Sequence, residues 1–193
     1  VSQAHMQEFK TTLQEGQADC GVSCLDSIIR YYGGDISKEV IREYSGTSTQ
    51  GTTLLGLYEA SIKLGFHAEG LEAESVNDLI ELKKPVILHV LHDEQMEHYV
   101  IYWGYMNEKA IIGDPAKGIV SYNLAQLDEI WNSKYLLSLE PGRNFQSVSL
   151  KQQKKIKWLY SLIKEDIKRL SLIASIGTVI AIMSYSTVIF IQK

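Results

Sequence analysis

The spacing of apolar positions changes character along this chain. From Cys20 to Tyr32, Val22, Leu25, Ile29 and Tyr32 recur at intervals of 3, 4 and 3, the signature of one helix face. Asp19 stands where an N-cap belongs, and Gly33-Gly34 stops the helix. Ser37–Tyr44 predicts a second helix with Val40, Ile41 and Tyr44 inward. Thr53–Leu64 predicts a third, closed by Gly65. Ser75–Leu82 predicts a fourth, and Ser75 with Asp78 forms a capping-box pattern. After Pro85 the period shortens. Pro85–Leu91, Glu97–Tyr105, Lys109–Gly113 and Gly118–Tyr122 predict strands, Leu124–Trp131 a short helix, and Tyr135–Leu139 a last strand. Helices first and strands afterwards argue for an α+β domain rather than a parallel βαβ sheet. Pro141-Gly142-Arg143-Asn144 is a linker signal, which sets a linker at 141–149.

The end of the chain follows a different pattern. Leu170–Gln192 contains no charged residue and is long enough to cross a bilayer's hydrocarbon core as a helix. Before it, residues 150–169 concentrate Lys151, Lys154, Lys155, Lys157, Lys164, Lys168 and Arg169. Trp158, Leu159, Leu162, Ile163 and Ile167 are interleaved near helical spacing. This predicts a basic amphipathic juxtamembrane helix at 150–169 and a transmembrane helix at 170–192. The alternatives are a solvated helix packed on the domain and a buried soluble helix. The excess of Lys and Arg places the preceding domain on the cytoplasmic side. The first apolar run is too short for a signal peptide. The residues before Met6, VSQAH, read as an expression-vector remnant, so 1–7 is treated as a lead. A single span at the very end of the sequence suggests a fragment of a longer membrane protein.

Charge sharpens the division. The 193 residues carry 19 Lys+Arg and 23 Asp+Glu, net −4, but residues 1–150 hold 11 and 21, net −10, and the remainder 8 and 2, net +6. An acidic first part argues against nucleic acid as a partner, since phosphate contacts need clustered cations. Two Cys exclude a disulfide-rich scaffold, and with no His partner nearby in sequence they are weak metal ligands.

The residues able to do chemistry are few. Cys20 falls in the first turn of the first helix, where the backbone dipole stabilises a thiolate. Cys24, one turn on, reads as a small core residue. A Cys20–Cys24 disulfide fits neither helical geometry nor a reducing compartment. Of the five His, His5 falls in the lead, His67 in a loop, His89 and His92 about the end of a strand, and His98 opens the strand HYVIYWG. Asp114 ends a strand before Pro115. Taken singly, each has an ordinary structural reading. Together they make the Cys, His and carboxylate that a cysteine hydrolase requires: a nucleophile, a base that later acts as acid, and a group that fixes the imidazole tautomer. The oxyanion that forms needs a donor, for which Gln14 and Gln17 are candidates.

The run Gln14-Glu15-Gly16-Gln17-Ala18-Asp19-Cys20-Gly21-Val22-Ser23-Cys24-Leu25 resembles the cysteine motif of the double-glycine leader peptidases. These are the N-terminal cytoplasmic domains of bacterial peptidase-containing ABC transporters, which export bacteriocins and related peptides. His98-Tyr99-Val100-Ile101 and Ile112-Gly113-Asp114-Pro115-Ala116-Lys117-Gly118 resemble the second motif. Gly51-Thr52-Thr53-Leu54-Leu55-Gly56-Leu57 and Gly65-Phe66 resemble the middle segment.

The resemblance spans 8–140 and implies a papain-like cysteine peptidase that cuts after Gly-Gly at the end of a leader. It makes Cys20 the nucleophile, His98 the base and acid, Asp114 the orienting carboxylate and Gln14 the oxyanion-hole donor, with Gln17 second. Implied partners are a precursor peptide with a Gly-Gly leader, the bacterial inner membrane and the rest of an ABC transporter, as a homodimer. The peptidase needs no cofactor. ATP and magnesium belong to the part not in this sequence, which has no GxxxxGK[ST] run. Leaders of this family are amphipathic helices and need an apolar groove, for which Leu57, Tyr58 and Trp103 are candidates, with core packing as their ordinary role. Two readings compete: a non-catalytic leader-docking domain, and a different papain-like amidase or transferase tethered to a membrane.

Overall fold

The structure is a computed structural model that describes residues 9–92 and 96–145, together with Ser175, Gly177 and Thr178. The chain divides into two units, Val1–Val148 and Ser149–Lys193. In the second unit the three described residues are helical and exposed. Apart from those three residues, the helices expected at 150–169 and 170–192, and the lead at 1–7, lie outside the described residues. Among those described, no helix is long and apolar enough to cross a membrane.

In the first unit three α-helices precede all six strands of the sheet. These are α1 (Cys20–Tyr31), α2 (Lys38–Ser45) and α3 (Leu54–Lys63). Strands β1 (Phe66–Glu72), β2 (Val86–His92), β3 (Met96–Met106), β4 (Lys109–Asp114), β5 (Gly118–Tyr122) and β6 (Tyr135–Pro141) form one sheet in the order β1-β6-β2-β3-β4-β5. Every pairing is antiparallel. Helix α4 (Leu124–Ile130) joins β5 to β6.

The sheet is covered on both faces. Tyr99, Ile101 and Trp103 of β3 join Val22, Leu25, Ile28 and Ile29 of α1 in one core. The alternate residues Val100 and Tyr102 join Leu79, Leu127 and Trp131 in the other. Alternation along one central strand therefore builds both layers. Helix α1 is buried at every residue from Cys20 to Ile29, well beyond the single face its spacing marks, because α2, α3 and the sheet enclose it. At its first turn Gly21 permits close approach: a Cβ there would meet Leu57 Cδ1 at 3.1 Å and Tyr99 Cδ2 at 3.3 Å.

Several expectations need correction. Ser75–Leu82 forms a 3₁₀ helix, Val76–Glu81, although the Ser75–Asp78 capping box is present. Six residues are too short a segment to favour the α form on propensity alone. Strand β1 is absent from the pattern of the sequence. It pairs through its backbone with β6 at the sheet edge and exposes Glu69, Gly70, Leu71 and Glu72, so it shows no apolar alternation. His67 consequently lies in a strand, opposite Glu140, and not in a loop. His98 is the third residue of β3 rather than its first. Asp19 occupies the cap position of α1, but its carboxylate makes no capping bond and binds Arg42 instead. Beyond β6, Gly142 N–H donates to Gly65 O at 2.9 Å. The Phe145 ring lies 4.4 Å from that of Phe66.

Candidate active site

Cys20 opens α1, with its side chain almost wholly buried at 6% exposure. Buried in the same region are His98 of β3 and Asp114, the last residue of β4. The imidazole Nε2 of His98 is 2.9 Å from Asp114 Oδ1. Cys20 is near enough for the imidazole to draw its thiol down. The fold places His98 and Asp114 in contact on two adjacent strands, and Cys20 at the head of the helix that packs on β3.

Two further contacts of the Asp114 carboxylate are local. Asp114 precedes Pro115, so the chain turns at once, and Asp114 Oδ1 also accepts the Ala116 N–H at 2.8 Å. Lys117 Nζ reaches Asp114 Oδ2 at 3.7 Å. Burial pushes this carboxyl up, but the His98 hydrogen bond and the Ala116 amide outweigh it and hold the group at about 2. Burial likewise opposes charge on His98. The hydrogen bonds with Asp114 and Cys20 prevail and raise it to about 9. For Cys20, burial pushes the thiol up. His98 and the backbone amides of Tyr99 and Gly21 bring it below the usual thiol value. The arrangement favours a thiolate–imidazolium pair steered by a fixed carboxylate, which can attack a carbonyl carbon and then protonate a leaving amine.

Cys24 behaves oppositely. It is fully buried, donates to Tyr99 O at 3.3 Å, and burial drives its thiol well above the ordinary value. Both cysteines are free thiols, and Cys24 is the core residue that its position suggests.

A cleft of about 570 Å³ opens beside the imidazole, lined by Gln14, Gln17, Thr49, Gln50, Glu97 and Lys117 together with His98 and Asp114. Gln14 is anchored by its backbone, its N–H donating to Pro115 O at 2.9 Å, while its buried side-chain Oε1 has no partner among the described residues. Gln17 is exposed. Thr49, Gln50 and Glu97 escape sequence reasoning, although Glu97 directly precedes His98 and Thr49-Gln50 form the turn just before Gly51-Thr52-Thr53. Of the other histidines, His89 Nε2 lies 3.9 Å from Glu97 Oε2. The side chain of His92, and the whole of His5, lie outside the described residues. Leu57 and Trp103 are core residues, whereas Tyr58 is 37% exposed on α3. Among the described residues no cluster of His, Cys, Asp or Glu is arranged to hold a metal ion.

Residues 8–144 match the Peptidase C39 family. The chain is 28% identical over 184 residues, 94% of its length and 25% of the relative's, to the pediocin PA-1 transport/processing ATP-binding protein PedD of Pediococcus acidilactici. Among solved structures, the peptidase domain of Streptococcus ComA, a bi-functional ABC transporter involved in a quorum-sensing pathway, superposes with a TM-score of 0.64. That match has 33% identity and covers 69% of this chain and 99% of that one. A double glycine motif protease from an AMS/PCAT transporter, solved in complex with the leader peptide, superposes with a TM-score of 0.61 at 26% identity. It covers 68% of this chain and 90% of that one. The chain spans about a fifth to a quarter of the length of the curated relatives it matches.

Proposed function

This chain belongs to the peptidase C39 family, and from that premise we propose that it removes the leader of a secreted peptide by cutting after a Gly-Gly pair. Its fold is that of a cysteine peptidase. Cys20 is the nucleophile, His98 the base and acid, and Asp114 the orienting group. The observation that carries this reading is the imidazole of His98, held 2.9 Å from Asp114 and drawing down the thiol at the head of α1.

The Cys20 thiolate attacks the carbonyl carbon of the second Gly, forming the C–S bond and a tetrahedral oxyanion. Gln14 and the backbone N–H of Cys20 stabilise that charge. The C–N bond breaks as His98 gives its proton to the departing amine. Water then attacks the thioester, losing a proton to His98, and releases the leader carboxylate and the Cys20 thiol. Asp114 keeps the imidazole in one tautomer throughout.

The larger setting extends the same reading. The chain is the peptidase part of an ABC exporter working as a homodimer at the bacterial inner membrane, with the peptidase in the cytoplasm. ATP and magnesium act in the portion of the exporter beyond this sequence. The names of relatives that couple transport and processing support this, as does the leader complex of the AMS/PCAT protease.

Incubation with synthetic Gly-Gly leader peptides and mass spectrometry of the products tests the proposal. One cut after the second Gly is expected, and Cys20→Ala should abolish it while leaving the fold intact. Unchanged cleavage by Cys20→Ala would overturn the assignment. Transfer of the acyl group to an added amine, without peptide hydrolysis, would point to a tethered transferase. Binding without any cut would point to a docking domain.

A further inference from the structure

The segment 13–19, which carries Gln14 into the cleft, is bonded along its length by the basic side chains of α2. Lys38 Nζ donates to Leu13 O at 2.9 Å and to Glu15 Oε1 at 3.2 Å. Arg42 Nη2 donates to Glu15 Oε2 at 3.0 Å. Arg42 also grips Asp19 with two parallel bonds, Nε to Oδ1 and Nη2 to Oδ2, both 2.9 Å. Residues 13 and 15, on either side of Gln14, are thus both held from α2, and residue 19 abuts Cys20. The Asp19 side chain is 13% exposed and that of Arg42 28%. A bidentate pair at that depth fixes geometry better than an exposed single contact.

Gln14 has need of such a brace. Its Oε1 is buried without a hydrogen-bond partner among the described residues, so that oxygen does nothing to orient the carboxamide. What the structure shows to be fixed is the stretch of chain on which it stands. That backbone has two inward ties, Gln14 N–H to Pro115 O and Ser23 Oγ–H to Leu13 O, and one outward tie, Lys38 to Leu13 O, while Arg42 reaches the strap through the carboxylates of Glu15 and Asp19.

We propose that Arg42, assisted by Lys38, is a positioning residue for the oxyanion hole: its fork on Asp19 and its bond to Glu15 fix the strap that aims Gln14. The inference rests on the peptidase reading above. Arg42 touches neither substrate nor Cys20, so it acts through the strap alone. It bears on the step in which negative charge forms on the carbonyl oxygen, and hardly on binding of the leader.

The test is a double-mutant cycle in the full chain, with a synthetic Gly-Gly leader peptide as substrate. Arg42→Ala should lower kcat by roughly tenfold or more and leave KM within about threefold, as expected when a donor is misaimed rather than removed. The rate of Cys20 alkylation by iodoacetamide, which builds no oxyanion, should stay unchanged. Gln14→Ala should cost on the order of 10²-fold. Adding Arg42→Ala to Gln14→Ala should then cost little more.

Unchanged kcat in Arg42→Ala would overturn the inference. So would an equal loss from Arg42→Ala whether or not Gln14 is present, since that loss would not pass through Gln14. If Arg42→Ala does not fold, Arg42→Lys and Asp19→Asn serve in its place with the same expectations, because each loses the fork but keeps size and much of the polarity. Failure of the wild-type chain to cut any Gly-Gly leader would sink the peptidase reading and this one together. A null effect of Arg42→Ala in a chain that cuts would sink this one alone.

Discussion

The thiol of Cys24 donates to the carbonyl of Tyr99 at 3.3 Å, joining α1 to β3 one turn beyond Cys20 and one residue beyond His98. Two cysteines a helical turn apart therefore do opposite jobs. Cys24 is locked in the core and its thiol is driven up by burial, whereas His98 draws the Cys20 thiol down. Brief treatment of the native chain with iodoacetamide should label Cys20 alone, as read by peptide mass spectrometry. Labelling of Cys24 at a comparable rate would contradict this burial. Cys24→Ala should fold and lose about 1 kcal/mol of stability, measured by urea unfolding.

The pH dependence of stability follows from two opposite shifts. The Asp114 carboxyl is depressed to about 2, so it contributes stability above about pH 4, which is lost as pH falls towards 2. His98 is raised to about 9, so it contributes stability below about pH 6.5, which is lost as pH rises through 9. From these two groups the urea midpoint should be greatest between about pH 4 and 6.5. Asp114→Asn should flatten the acid limb. An acid limb that stays equally steep in that variant would remove Asp114 as its source.

Removing the carboxylate separates its charge from its hydrogen bond. Asp114→Ala should reduce kcat on a Gly-Gly leader by roughly 10²-fold or more, with the circular dichroism spectrum retained. Asp114→Asn keeps an acceptor oxygen for the imidazole and should fall between wild type and Ala. The equality of the two variants would mean that only the charge matters.

Gly56 offers a stability test remote from the chemistry. It lies within α3, where Ala is favoured over Gly by about 1 kcal/mol on propensity. A Cβ there, however, would run into the backbone carbonyl oxygen of Ser45 at the end of α2. Backbone cannot give way as a flexible side chain can, so Gly56→Ala should lower Tm in differential scanning calorimetry. A rise in Tm would mean that α2 and α3 are less tightly apposed than they stand here.

Local chemistry decided much of this protein. The spacing of Val22, Leu25 and Ile29 marks α1, and the Ser75–Asp78 pair marks the start of a short helix. The residue types at 20, 98 and 114 are those that a cysteine hydrolase requires, and the resemblance of the motifs around them singles them out from the other candidates. The same residues in a row carry no distances. Strict alternation along β3 assigns His98 to the layer of Val100 and Tyr102, away from α1. Its influence on Cys20 depends on where the helix begins relative to that strand. Strand β1 exists because β6 offers its backbone to the sheet edge, a contact that leaves no mark in side-chain pattern. Asp19 is read as a cap from its place before a helix, yet a guanidinium 23 residues away takes its carboxylate. Periodicity and capping are short-range and so are written in neighbouring residues. Which charges and strand edges meet is a long-range outcome, settled only when the chain closes on itself.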